Sequence, residues 1–143
     1  MKPFSLETVL KYRKRLEDIA KNRLHEAQTA MQRVRERLET EEQLYAELMA
    51  TVDRRQFEGI DILDLIRYEE QIQFSKNRIT AIRKTLEEKT ARFVEERDNL
   101  IKRSKERKVM DKLKTKQNQA WREHLDKKEA AMLDEIAVIF HER

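Results

Sequence analysis

Residues that cross-link or interrupt a protein chain are rare or missing in this sequence. It contains no cysteine, which excludes disulfide bonds and cysteine-based zinc sites and suits a reducing cytoplasm. It contains one proline, Pro3, and one glycine, Gly59, so little interrupts a helix. Aromatic residues make up only 6%, and no apolar run approaches the ~18 residues that a membrane-spanning helix needs. The sequence therefore predicts long helices with a thin core and no membrane insertion.

Charged residues are abundant, and their amount raises the question of disorder. They make up 42% of the 143 residues, with a net charge of +4. A composition of this kind is found in disordered chains and in extended helical proteins. The apolar residues recur with a regular period, which is not expected in a disordered segment. They therefore favour an extended helical protein.

Apolar residues recur every seven positions in two long series. The first series is broken only by Glu17 and contains Leu10, Leu24, Met31, Leu38, Tyr45 and Val52. The second series contains Leu65, Ile72, Ile79, Leu86, Phe93 and Leu100. A sustained seven-residue period forms a narrow apolar row along a helix, and that row requires a partner helix.

The two series predict two helices separated by one turn. We expect a helix over about 5–55 with Ser5 as its N-cap, a turn over about 56–61, and a second helix over about 62–140, all in a single domain. Gly59 can adopt the positive φ that ends the first helix. The predicted fold class is all-α, a long antiparallel two-helix coiled-coil hairpin with an overhanging C-terminal helix.

The hairpin predicts a register and an unpaired C-terminal segment. Pairing residues whose numbers add to 117 places Val52 opposite Leu65 and Leu24 opposite Phe93. About 30 residues of the second helix then lack an internal partner, or roughly 45 Å of helix. Their apolar residues form either a binding surface, which we favour, or a frayed tail: Leu113, Trp121, Leu125, Met132, Leu133, Ile136, Ile139 and Phe140.

No group of residues in the sequence is typical of catalysis, of cofactor binding or of metal binding. The three histidines, His25, His124 and His141, are far apart, and no phosphate-binding glycine loop is present. We therefore predict a non-enzymatic protein without a cofactor.

The segment 102–128 holds eleven Lys or Arg and four Asp or Glu, which favours contact with an acidic protein surface over nucleic acid.

Two segments resemble a known family. They are the opening Phe4-Ser5-Leu6-Glu7-Thr8-Val9-Leu10 and the stretch 106–114, Glu-Arg-Lys-Val-Met-Asp-Lys-Leu-Lys. With the position of Gly59, the length and the two unequal helices, they resemble the flagellar export protein FliJ family over nearly the whole chain. That family is in turn similar to the coiled-coil stalk of the rotary ATPase γ subunit.

The resemblance implies a role in the bacterial flagellar type III export apparatus. A FliJ-like protein is expected to bind the hexameric export ATPase, to promote its activity and to link it to the membrane export gate and to export chaperones. It would be needed for flagellum assembly, motility and chemotaxis. We expect it in the cytoplasm, peripherally associated with the cytoplasmic face of the cell membrane at the flagellar base.

The resemblance also implies which residues would touch these partners. The ATPase ring would contact Leu6, Val9, Leu10, Val109, Met110, Leu113 and Trp121. The export gate would contact Gln43, Glu47, Gln71 and Ser75. Polar residues such as Glu47 depart from the more apolar surface that some family members carry there.

Three alternatives remain open from the sequence. The first is the equivalent stalk protein of a virulence injectisome. The second is a generic scaffolding coiled coil that associates with itself. The third is a helical hairpin that binds nucleic acid through residues 102–128 in a salt-sensitive way.

Overall fold

Two long helices form the fold. The computed structural model describes residues 6–142 and contains α1, Glu7–Glu58, and α2, Ile62–Glu142. The helices pack against each other as an antiparallel coiled-coil hairpin, and no strand occurs between residues 6 and 142. The predicted all-α hairpin is confirmed. The predicted N-cap Ser5 lies outside the described residues.

The connection between the helices is shorter than the sequence indicates. Gln56, Phe57 and Glu58, which we assigned to the turn, belong to α1. None of these residues breaks a helix, and α1 ends only at Gly59, whose φ of 96° lies in the left-handed region. Asp61 then takes the N-cap position of α2, and its carbonyl oxygen accepts a hydrogen bond of 3.0 Å from the N–H of Leu65.

The chain divides into two compact units. We call residues 6–20 with 100–142 the terminal unit, and residues 21–99 the hairpin unit. Each unit contains a segment of both helices. The seven-residue series of apolar residues runs through both units, and each unit is described separately below.

The core of the hairpin unit is thin and follows the predicted rows. Its buried apolar residues are Ala27, Met31, Val34, Val52, Ile79 and Ile82. The remaining apolar members of the two series in this unit, Leu24, Leu38, Tyr45, Leu65, Ile72, Leu86 and Phe93, are half-buried. Because two helices enclose only the strip between them, most row residues keep one edge in solvent.

Two contacts between the helices differ from the predicted register by two or three residues. In the terminal unit Leu10 packs with Met110, and these numbers add to 120 rather than 117. In the hairpin unit Arg55 pairs with Asp64, and these numbers add to 119. A side chain in a coiled coil inserts between residues of the facing helix instead of meeting its own counterpart. These two contacts therefore lie outside the predicted pairing of the two main series.

Candidate partner-binding surfaces

The terminal unit is held together at one point by a small apolar cluster. Leu10 has 0% of its surface exposed and Met110 has 4%, and the two side chains pack together. Leu10 belongs to the seven-residue series of α1, so its burial follows from the sequence. This cluster fixes residues 7–13 of α1 against residues 106–114 of α2.

A charged network lies beside this cluster, where the apolar series of α1 is interrupted. Glu17 is buried, and its two carboxylate oxygens lie 3.2 and 3.3 Å from Nε of Arg107. Nη1 of Arg107 donates a second hydrogen bond, of 2.7 Å, to the carboxylate of Asp111. These hydrogen bonds, first to Asp111 and then to Glu17, raise the pKa of Arg107 above its ordinary value. The guanidinium therefore stays charged while it joins the two helices.

Two further contacts join the same helix segments. Nη1 of Arg13 donates a hydrogen bond of 3.1 Å to the backbone carbonyl of Glu106. Nζ of Lys114 lies 3.2 Å from the carboxylate of Glu7 at the start of α1. Both contacts cross between α1 and α2, so the terminal unit has a polar margin on each side of its small apolar cluster.

The residues predicted to contact an ATPase ring fall into two groups. Leu6, Val9, Val109 and Leu113 are exposed, and Trp121 is half-buried. Leu10 and Met110 are buried against each other and face the helix–helix interface. Their side chains are therefore not accessible to a partner in this structure, and they act by holding the two helices together.

Val109 and Leu113 lie within a basic helix face. They are one turn apart on α2, and the same face carries the exposed residues Lys102, Lys105, Lys112 and Lys116. On this face one of these residues occurs every three or four positions, and the four lysines lie on both sides of the exposed apolar pair. A surface of this kind combines apolar contact area with attraction to negative charge.

The residues predicted to contact an export gate lie on the hairpin unit. Gln43, Glu47 and Gln71 are exposed, and Ser75 is half-buried. Arg78, which follows Ser75 by less than one turn, pairs with Glu41 of the other helix and places its guanidinium 5.8 Å from the centre of the Phe74 ring. This part of the surface is thus a mixed polar and aromatic area.

Sequence reasoning missed several exposed apolar residues of the hairpin unit. Leu44 and Phe74, next to predicted gate residues, are 52% and 64% exposed. Close to the turn, Phe57, Ile62, Leu63 and Ile66 are also exposed. All six lie outside the two main seven-residue series. A search for apolar residues outside those series would have found them.

The described residues include histidines and acidic side chains, which are possible metal-binding groups. Between residues 6 and 142 no group of three His, Cys, Asp or Glu side chains could hold a metal ion. His124 stacks on Trp121 with ring centres 5.7 Å apart, and His25 lies exposed on α1. In the same part of the chain neither helix is long and apolar enough to cross a membrane.

Comparison with known proteins gives one match. The family model described as flagellar FliJ protein matches residues 1–143, which is the full length of the sequence. Comparisons with curated proteins and with solved structures gave no match. The match extends over both helices, the Gly59 turn and both segments that carried the resemblance, and the chain therefore belongs to the flagellar FliJ protein family.

Proposed function

We propose that this chain is the coiled-coil stalk of flagellar protein export, and that its terminal unit binds the hexameric export ATPase. Family membership supports the general role, a coiled-coil protein of flagellar export. The observation that carries the ATPase contact is the exposed pair Val109 and Leu113 among exposed lysines. Leu6, Val9 and Trp121 would add contact area.

The stalk would act on the ATPase without catalysing a reaction itself. A single asymmetric hairpin inside a ring of identical subunits contacts each subunit differently. It can thereby favour different nucleotide states in different subunits and promote hydrolysis by the ring. The ion pairs of the terminal unit support this role, because they join the two helices where the ring would hold them.

The hairpin unit would face the membrane export gate. Gln43, Glu47, Gln71 and Ser75 would provide polar contacts, and the neighbouring Leu44 and Phe74 would provide apolar area. Contact with the gate would keep the protein at the cytoplasmic face of the membrane without insertion. Export chaperones would be further partners, and we assign no residues to them.

The test is the hydrolysis rate of the cognate flagellar export ATPase with and without the full chain. The chain should stimulate hydrolysis, and the V109D/L113D variant should lose most of that stimulation because two charges replace the exposed apolar pair. Met110 is left unchanged, since an Asp there would disrupt the packing with Leu10. Full stimulation by a folded V109D/L113D variant would contradict the ATPase contact.

The control variant is L44D/F74D, which changes two exposed apolar residues of the hairpin unit in the same way. It should stimulate the ATPase as the unchanged chain does. Circular dichroism should show the same helix content for both variants, because all four positions are exposed.

A further inference from the structure

The C-terminal part of α2 carries an apolar row that is exposed to solvent. All residues from 122 to 142 are exposed. Leu125, Met132, Ile136 and Ile139 are spaced by seven, four and three residues, which places them on one side of the helix. They are 44–56% exposed. We call these four residues the C-terminal row.

The C-terminal row continues the side of α2 that already contacts α1. Met110, which packs with Leu10, and Lys114, which pairs with Glu7, lie on that side. Trp121 follows Lys114 by seven residues, and Leu125 follows Trp121 by four residues. These spacings keep all of them on one side of α2. Since α1 begins at Glu7, its described part provides no residue opposite the row. The row is therefore an extension of an existing helix–helix interface.

We propose that the C-terminal row pairs with the same row of a second copy of this chain in antiparallel orientation. Charge complementarity points to a second copy. Lys128 and Glu135 are seven residues apart and flank the same edge of the row. When Leu125 of one copy lies opposite Ile136 of the other, Lys128 lies beside Glu135. The two-fold symmetry of such a dimer forms each pair twice.

The antiparallel orientation follows from the polar residues in line with the row. Arg122 and Glu129 are spaced by three or four residues from their apolar neighbours, so they lie on the same side of the helix as the C-terminal row. A parallel pair would place each of them against its own copy, which sets like charges side by side. In the antiparallel alignment Glu129 lies opposite Met132, and Arg122 lies opposite Ile139. The parallel form is therefore disfavoured by repulsion that the antiparallel form avoids.

The length of the exposed segment sets the strength of the dimer. Its 21 residues form roughly 32 Å of helix, or three heptads. Arg122 and Glu129, which are charged residues in line with the row, weaken so short a coiled coil. The dimer should therefore form at micromolar concentrations and be separable by a partner that binds the row more tightly. This inference does not depend on the proposed ATPase contact.

Charge exchange tests the pairing. Sedimentation velocity of the full chain over a range of micromolar concentrations should show a monomer–dimer equilibrium. K128E and E135K should each raise the dissociation constant by about tenfold, which corresponds to about 1.4 kcal/mol. The double variant K128E/E135K should return it close to the original value. The control K127E changes a neighbour on the far side of the helix and should leave it unchanged.

Disulfide formation tests the antiparallel orientation of the two copies. The sequence contains no cysteine, so only the introduced cysteines can form disulfides. Oxidation of a mixture of L125C and I136C chains should give mainly the mixed disulfide, whereas E123C, on the opposite side of α2, should cross-link poorly. A chain that stays monomeric at all concentrations would overturn the proposal. So would a dimer that K128E does not weaken, or preferential L125C–L125C disulfides.

Discussion

The Nε–H of Arg107 on α2 is shared between both carboxylate oxygens of Glu17 on α1, at 3.2 and 3.3 Å. Glu17 is the one residue that interrupts the apolar series of α1, and it is buried. The position that looks like a defect in the sequence therefore contains a charged link between the helices. The same guanidinium also binds Asp111, so one arginine holds two carboxylates, Glu17 on α1 and Asp111 on α2.

The link should depend on the shape of the guanidinium group. We predict that R107K lowers the melting temperature by roughly 2–4 °C, because a lysine ammonium lacks the planar fork that reaches Glu17 and Asp111 together. Thermal unfolding followed by circular dichroism measures this change. R97K is the matched control, since Arg97 is exposed and pairs with Asp98 of the same helix at 3.6 Å. Equal melting temperatures for R107K and the unchanged chain would show that the fork is not required.

The apolar contact beside this network should contribute more to stability. L10A removes a side chain with 0% exposure from a cluster with Met110, and we expect a loss of roughly 2–4 kcal/mol in the free energy of unfolding. Urea unfolding at low protein concentration measures this loss. L133A makes the same replacement at a residue that is 60% exposed and should change the free energy by less than about 0.5 kcal/mol. Similar losses for the two variants would contradict the cluster.

A substitution in the turn tests backbone conformation alone. Gly59 has a φ of 96°, and no atom lies within 4 Å of the position that a Cβ would occupy. G59A should therefore reduce the free energy of unfolding by about 1 kcal/mol, from the left-handed backbone and not from a clash. Urea unfolding of G59A and of E58A, an exposed helical control, measures the difference. An unchanged G59A would mean that the turn adopts another conformation.

The two helices and their rows could be predicted from the sequence, because the seven-residue period and one glycine are local signals. The register could not, since each helix offers two neighbouring rows and only packing in three dimensions selects how they interlock. The partner residues show a further limit. Leu10 lies in an apolar row and could be predicted as buried, yet the family resemblance pointed to it as a contact. Leu44 and Phe74 lie outside the rows, so a search based on periodicity passed over them.

Leu44 and Phe74 provide the sharpest test of whether the two units bind different partners. In a binding assay with the purified cytoplasmic part of the export gate, L44D/F74D should weaken binding at least tenfold, because buried carboxylates would replace apolar contact area. V109D/L113D should bind the gate as the unchanged chain does. The two double variants therefore serve as controls for each other in the gate assay and in the ATPase assay. If either variant lost both activities while keeping its helix content, the two surfaces would not act separately, and one continuous interface would have to replace them.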